Sequence, residues 1–251
     1  MKDNALILNH LGMGDMLSIS PAIRLFASKY KEVFIVSKFK YYENVMKLYE
    51  DIDNVNVFSL TRNSDENQYN EMSEINSFIS DIDVDHDLYS CGIFKEDHHP
   101  FDNLPDNFYY DLDVPLETYN EYFKLHEKYY DVSKVSNIIE NYEYIFVSGN
   151  TSVKDYTDDI FSKLKTNHLI LSTSKNFYED NDERYQIANS VIDLPLFDYI
   201  PLIQNCKEAH VIGGVFSILS KFVIGDASLK FLHNCNDCGL SKNFFSDWEI
   251  I

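Results

Sequence analysis

Between His10 and Phe26 the chain reads HLGMGDMLSISPAIRLF, with one carboxylate, Asp15, set between a glycine loop and a helical pattern. A carboxylate in that setting, at the end of a strand, is well placed to meet a substrate. The residues around it say where it sits. Ala5 to Leu8 read as a buried strand, and Ile19, Ile23, Phe26 and Tyr30 recur at helical spacing. His10, Gly12 and Gly14 form the loop between them, the two glycines allowing a sharp turn. Asp15 is thereby expected at the mouth of a βα unit, and in open α/β sheets ligands bind outside the carboxyl ends of the strands. Asp is also among the residues preferred at a helix N-cap, so the residues alone leave capping open as its role.

The elements that must position this loop alternate. Strand-like runs at Ala5 to Asn9, Val33 to Ser37 and Val55 to Leu60 are interleaved with helical patterns at Met16 to Tyr30 and Tyr41 to Tyr49. Such βαβαβ order signals a parallel sheet. A helix is expected over Glu71 to Ile79 and another over Leu116 to Tyr130, with an irregular, proline- and aromatic-rich stretch from Asp97 to Pro115 between them. The alternation then restarts: strands at Tyr144 to Ser148, His168 to Ser172, Ala209 to Ile212 and Leu229 to His233, with helices at Asp158 to Lys165, Phe197 to Cys206 and Phe216 to Val223. The expected fold is α/β, with two Rossmann-like lobes whose parallel sheets face a cleft, the first over residues 1–141 and the second over 142–251. The final apolar residues Phe244, Phe245, Trp248, Ile250 and Ile251 are too many to leave in water, so this tail is expected to dock.

Bulk composition narrows the partners. The 251 residues carry 41 acidic against 21 basic side chains, a net charge of −20. A surface so acidic repels polymeric nucleic acid and anionic membranes. No apolar run reaches the ~20 residues of a membrane span, and MKDNALILNH lacks a secretory leader's apolar core, so a soluble cytoplasmic protein without a transmembrane segment is expected. Four scattered cysteines, Cys91, Cys206, Cys235 and Cys238, do not make a disulfide framework.

Several motifs fail on their details. Leu17 stands where a dinucleotide fingerprint needs its third glycine, and no Lys-Ser or Lys-Thr follows the second glycine as a P-loop requires. Cys235 and Cys238 have the spacing of half a zinc motif, with His233 nearby but no second pair. Asp81, Asp83, Asp85 and Asp87 contain the DxD pattern of a metal-holding loop, yet alternation with Ile82 and Val84 reads more simply as a solvated edge strand. His98 and His99 lie in the irregular stretch and are expected at the surface.

With the glycine loop, its carboxylate and the proline-containing helix taken together, the chain resembles the ADP-heptose:lipopolysaccharide heptosyltransferase family, whose fold is GT-B. The likeness continues more faintly through YIFVSGNTSVKD and LFDYIPLIQNCKEAHVIGGVFSILSKF, and the closing FFSDWEII is similar to that of other short GT-B-like chains. The resemblance implies transfer of a sugar from a nucleotide-diphosphate donor to a glycan or glycolipid hydroxyl, without metal or other cofactor, with Asp15 as the base. It also places the donor on Ser148, Gly149, Asn150, Thr151 and Lys154 and on the turn Gly213, Gly214, Val215, Phe216 and Ser217, where a glycine-flanked helix start would meet a pyrophosphate. The family usually carries Asp-Ser-Gly at that turn, and Gly214, Val215 and Phe216 stand there instead. Two other classes share the architecture: a nucleotide-sugar epimerase or hydrolase, and a non-catalytic binding module.

Overall fold

Ala5, Leu6, Ile7 and Leu8 are buried together, so both faces of their strand are covered, the condition that makes the central strands of a parallel sheet read as unbroken apolar runs. We describe the chain from a computed structural model, for all residues except 1, 10–11, 66–67, 83–84, 95–103, 152–153 and 234–240. His10, Asp83, His98, His99, Cys235 and Cys238 therefore lie outside the described residues. Two compact units divide the chain, Met1–His126 and Glu127–Ile251.

In the first unit β1 (Lys2–Leu8), α1 (Met13–Ala27), β2 (Tyr30–Ser37), α2 (Tyr42–Tyr49), β3 (Val55–Ser59), α3 (Gln68–Asp81) and β4 (Asp87–Ser90) precede two short helices, α4 (Asp106–Asp111) and α5 (Thr118–Tyr122). The sheet is parallel in the order β3-β2-β1-β4, with Ile7 opposite Ile35 on one side and Tyr89 on the other. One face packs Leu6, Leu8 and Val36 against Leu60 and Ile75. Alternation turns Ala5 and Ile7 to the opposite face.

Helix α1 carries a proline in its interior. Pro21 has no N–H for the Leu17 carbonyl, and the Ser20 hydroxyl takes that place at 2.9 Å, so the helix runs on without an orphaned acceptor. Its last turn is fixed by Arg24, whose guanidinium donates to Asp51 at 2.7 and 3.1 Å and to the Leu48 carbonyl at 2.6 Å. The pairing holds Asp51 well below the usual carboxylate range. The helix starts at Met13 and ends at Ala27, earlier at both ends than apolar spacing suggested, and Tyr30 opens β2.

The acidic string divides among different structures. Asp81 is the last residue of α3 and Asp87 the first of β4, which is an edge strand, though it begins later than the alternation implied. Among the described residues no three His, Cys, Asp or Glu side chains converge as a metal would need. No described helix is long and apolar enough to cross a membrane. The long helix expected over Leu116 to Tyr130 is instead the short α5 and a separate turn at Glu127–Tyr129.

The second unit contains α6 (Ser136–Asn141), β5 (Tyr144–Ser148), α7 (Thr157–Phe161), β6 (Leu169–Ser172), α8 (Tyr185–Asn189), α9 (Ile200–Asn205), β7 (Glu208–Ile212), α10 (Val215–Val223), β8 (Leu229–His233) and β9 (Glu249–Ile250). Its sheet is parallel in the order β6-β5-β7-β8-β9, and all five residues of β5 are buried. The tail docks here: Phe244, Phe245 and Trp248 are buried, and β9 pairs with β8 through Phe231 opposite Glu249. Asp247 adds ion pairs to Lys221 and Lys230.

The segment from Glu127 to α6 lies in the second unit, where buried Asp198 holds it. One carboxylate oxygen accepts from the Asp131 amide at 2.9 Å and the other from Lys134 Nζ at 2.6 Å, while Val135 and Ile138 are buried. Asp198→Asn removes the charge from both bonds. We expect it to cost about 1.5–3 kcal/mol in denaturant unfolding and to lower exchange protection at the Asp131 amide; unchanged protection there would mean that apolar packing alone holds the segment.

Candidate functional site

In the first sheet β2 lies on one side of β1 and β4 on the other, so the connections from β1 and from β3 leave in opposite directions. That reversal opens a crevice at the carboxyl end of β1, the usual ligand position in such sheets. Asp15 stands in the first turn of α1, immediately beyond it.

The two glycines of this loop act differently from the turn expected of them. Gly12 is the N-cap residue, with φ −72° and ψ 149°, values open to most residues, and Gly14 is already helical. What Gly12 supplies is space. A Cβ there would come within 2.6 Å of Asp15 Oδ2, and the same oxygen accepts from the Gly12 N–H at 3.2 Å. Asp15 thus caps the helix from inside its first turn, and the cap bond orients the carboxyl.

Asp15 is half-buried, and loss of hydration there pushes its carboxyl up to about 7. The Gly12 N–H and the Lys38 ammonium pull the other way and are outweighed. A carboxyl that titrates near neutrality can accept a proton and release it again at working pH, which an ordinary surface aspartate does poorly.

Lys38 and its partner escaped the sequence reading. Lys38 follows β2 directly, and its Nζ lies 2.8 Å from Oε2 of Glu71 on α3, whose side chain is only 4% exposed. The one available signal was a charged residue at a strand's carboxyl end, and nothing in the sequence linked it to a glutamate more than thirty positions away.

In the second unit the strand order reverses between β6 and β7 on either side of β5, so the corresponding crevice lies at the ends of β5 and β7. The two segments expected to hold the donor meet there. A Cβ on Gly214 would approach the Asn150 carbonyl to 3.2 Å and Thr151 Cα to 3.9 Å. Gly214 itself is extended, with φ 161°, so closeness and not backbone strain requires glycine. Its N–H donates to Ser217 Oγ at 3.2 Å, and that hydroxyl donates to the Gly214 carbonyl at 2.8 Å. Gly213 is buried behind the turn, Val215 begins α10, and the Phe216 ring turns inward onto Tyr199 and Phe146.

The loop after β5 is closed by its own hydrogen bonds. Thr151 N–H donates to the Lys154 carbonyl at 3.0 Å, and Tyr156 N–H to the Gly149 carbonyl at 2.8 Å. Gly149 lies so near the Thr157 backbone that no Cβ fits. Ser148 Oγ shares a hydrogen bond with Thr173 Oγ1 at 3.1 Å, and Thr157 Oγ1 one with Ser174 Oγ at 3.0 Å, which lines the ends of β5 and β6 with hydroxyls. Lys154 is exposed, its ammonium 4.5 Å from the centre of the Tyr156 ring.

A buried histidine pair near this edge was also missed. Glu208 Oε2 lies 3.1 Å from His210 Nε2, and His210 Nδ1 lies 3.0 Å from His233 Nε2. A carboxylate at one end makes His210 donate from Nε2, so His233 donates from its own Nε2 to His210 Nδ1. Burial pushes His233 down to about 4 and lowers His210 as well, so both rings are neutral at pH 7.

The raised Asp15 carboxyl makes a prediction about stability. With a folded pKa near 7 against an ordinary 3.8, its contribution is fully present below about pH 4 and is lost as pH rises to about 7. Asp15→Asn carries no charge at any pH. Its thermal midpoint relative to the parent is expected to climb by about 10 °C between pH 4 and 7 and then level off; a flat difference across that window would mean that Asp15 titrates as a surface carboxylate.

No protein-family model matches the chain, and no curated protein matches it. Among solved structures it is similar to the E. coli ADP-heptose lipopolysaccharide heptosyltransferase II, with a TM-score of 0.53 and 8% identity over 100% of this chain and 90% of that one. A second similarity, TM-score 0.49 and 12% identity over 99% and 92% of the two chains, is to E. coli heptosyltransferase WaaC with ADP-2-deoxy-2-fluoro heptose. At this identity the likeness speaks for architecture. The chain has the GT-B-like fold of the heptosyltransferases, two Rossmann-like units each with a parallel sheet.

Proposed function

We propose that this protein is a glycosyltransferase that moves a sugar from a nucleotide-diphosphate donor to a hydroxyl of a glycan or glycolipid acceptor, without a metal ion. The observation that carries the reading is Asp15: a carboxyl titrating near neutrality, oriented by the Gly12 amide, at the strand-order reversal of the first sheet. The shared fold supports the class, and the heptosyltransferase II it resembles is named for ADP-heptose and lipopolysaccharide. Only the nucleotide-diphosphate sugar is carried over, not the heptose.

In this mechanism the acceptor hydroxyl attacks the anomeric carbon as Asp15 takes its proton. The bond from that carbon to the donor's diphosphate oxygen breaks, and the electron pair leaves on the nucleoside diphosphate. The second unit binds that leaving group. Its charge would meet the start of α10, where the N-terminal end of the helix dipole contributes about 0.3–1 kcal/mol, and the half-buried Thr151, while buried Ser148 and Thr157 hold the loop from behind. Lys154 would have to leave the Tyr156 ring to join them, a contact of only about 0.5–1 kcal/mol at an exposed site.

A specific observation keeps a binding module as the second reading. Ser217 occupies the Gly214 amide that a diphosphate would otherwise receive, and no carboxylate or hydroxyl stands at Val215 or Phe216. Such a module would bind a nucleotide sugar and never turn it over.

Two experiments test the proposal. With a panel of nucleotide-diphosphate sugars and acceptors in excess EDTA, the parent is expected to transfer sugar, and Asp15→Asn to lose about 10²–10⁴-fold in rate with donor affinity nearly intact. Undiminished transfer in that variant removes Asp15 from the mechanism, and loss of transfer to EDTA removes metal independence. Calorimetric titration then locates the donor: Gly214→Val, which presses a branched side chain on the Asn150 carbonyl, is expected to weaken nucleoside diphosphate binding by roughly tenfold or more and nucleoside binding little. Equal diphosphate binding in the folded variant places the donor elsewhere.

A further inference from the structure

The buried imidazole pair of the second unit plays no part in sugar transfer as proposed. Glu208, His210 and Ile212 alternate onto one face of β7, and their register partners on β8, Leu229, Phe231 and His233, lie on the same face. Glu208 Oε2 is 3.1 Å from His210 Nε2, His210 Nδ1 is 3.0 Å from His233 Nε2, and the Phe231 ring stacks on His210 with centroids 4.5 Å apart. Both Nε2 protons are spent along this chain, so the pair has one lone pair left for a proton, at Nδ1 of His233. That atom is buried and has no hydrogen-bond partner. A proton arriving there makes an enclosed cation whose new N–H lacks an acceptor. Handing the Nε2 proton on to His210 moves the charge to the ring that faces Glu208 and leaves the N–H at His233 Nδ1 as orphaned as before. The closed fold thus disfavours a proton that water would accommodate.

We propose that the Glu208–His210–His233 chain is an acid-sensitive latch on the edge of the second sheet: neutral, it keeps β9 closed on β8, and on taking up a proton it lets β9 open and admit water. The weakest hold next to His233 is that strand. β8 is paired with β7 over five residues but with β9 over two, and β9 ends the strand order. The Ile251 N–H donates at 3.0 Å to the carbonyl of Leu232, the residue before His233. Elements with few such bonds open first. Around the pair the charged groups reach water: Lys163 beyond α7, Lys207 before β7 and Glu249 opposite Phe231 are exposed, and Glu208 is half-buried. Lys207 and His168 are both turned to Glu143, at 3.0 and 3.6 Å, and β5 brings only Ile145 and Val147 opposite Glu208 and His210. On the tail, Asp247 is desolvated yet kept below the usual carboxylate range by Lys221 and Lys230, so those ion pairs persist in mild acid. His233 is held at about 4 by burial, then by His210 and the Lys163 ammonium. Against an ordinary 6.5, that gives a contribution fully present above pH 6.5 and lost as pH falls to about 4.

Amide exchange of the full chain, followed by NMR from neutral pH to about pH 4 and corrected for the intrinsic effect of pH, reads the latch. The opening constant at the Ile251 amide is expected to rise about tenfold for each unit below pH 6.5, the slope of one proton taken up on opening, and to stay larger throughout than that of the Ile145 amide in the interior of the sheet. In the double variant His210→Gln with His233→Gln, which has no titrating ring at either position, the rise is expected to vanish. Should that variant fail to fold, ring-nitrogen NMR of the parent decides: both rings are expected as Nε2–H tautomers at pH 7, with His233 still neutral at about pH 6. An Ile251 opening constant indifferent to pH overturns the proposal, as does one that equals the Ile145 constant at every pH, which would mean that only global unfolding takes up the proton. The same rise in the double variant overturns it too, and so does a His233 imidazolium at pH 6 with Ile251 still protected. None of these readouts involves a nucleotide or a sugar, so they stand apart from the transfer assay.

Discussion

A half-buried carboxylate at the open end of a parallel sheet is the constraint around which the first unit is arranged. Desolvation drives Asp15 toward its neutral form, and the structure opposes it with one amide and one ammonium, enough to bring the midpoint near neutrality and not below. Each of those two groups needs its own support. Gly12 must lack a side chain for its N–H to reach the carboxyl, and Lys38 is paired with a glutamate that has given up its water. The proline of α1 and the serine that covers for it keep the helix intact beyond this turn, so the carboxyl is carried on a rigid element.

In the proposed mechanism the second unit would meet the opposite electrostatic problem with neutral groups. A leaving diphosphate brings negative charge to a chain already at −20, where long-range repulsion would slow its approach at low salt. Backbone amides would answer this at short range without adding a charge that must be balanced when the site is empty. At the ends of β5, β6 and β7 the buried hydroxyls of Ser148, Thr157, Thr173 and Ser217 are hydrogen-bonded within the chain and hold those ends together.

The strand buried on both faces was legible in the sequence because it is filled almost wholly by apolar residues: Tyr144–Ser148 runs from and to the residues that the pattern marks. Helix limits were less so. Apolar periodicity marks the part of a helix that faces a core, and in the first turn of α1 Gly14 and Asp15 separate buried Met13 from Met16, so the helix begins three residues before its pattern. The expected helix after Leu116 failed because aromatic residues at helical spacing there fill several short pieces instead of one face. The anchoring of the segment before α6 was invisible for a related reason: Asp198 reaches back across more than sixty residues to the Asp131 amide, and no local signal records such a bond. Asp15 could be picked out because its loop is contiguous; Lys38, Glu71 and the His210–His233 pair are assembled only by the sheet.

The same distinction explains how far the donor turn could be read. Two glycines after a strand announce close approach, and they do allow it, since the Gly214 position lies against the Asn150 carbonyl. What they do not announce is the approaching partner. Here one partner is the chain itself, with Ser217 returning to the Gly214 amide and the loop after β5 pressed against the turn. Under the proposed reading a diphosphate would exchange this neutral hydrogen bond for a charge-assisted one, which is roughly twice as strong. In the proposed donor role the turn would give up one neutral bond, from the Gly214 amide to Ser217, in exchange for a charged acceptor.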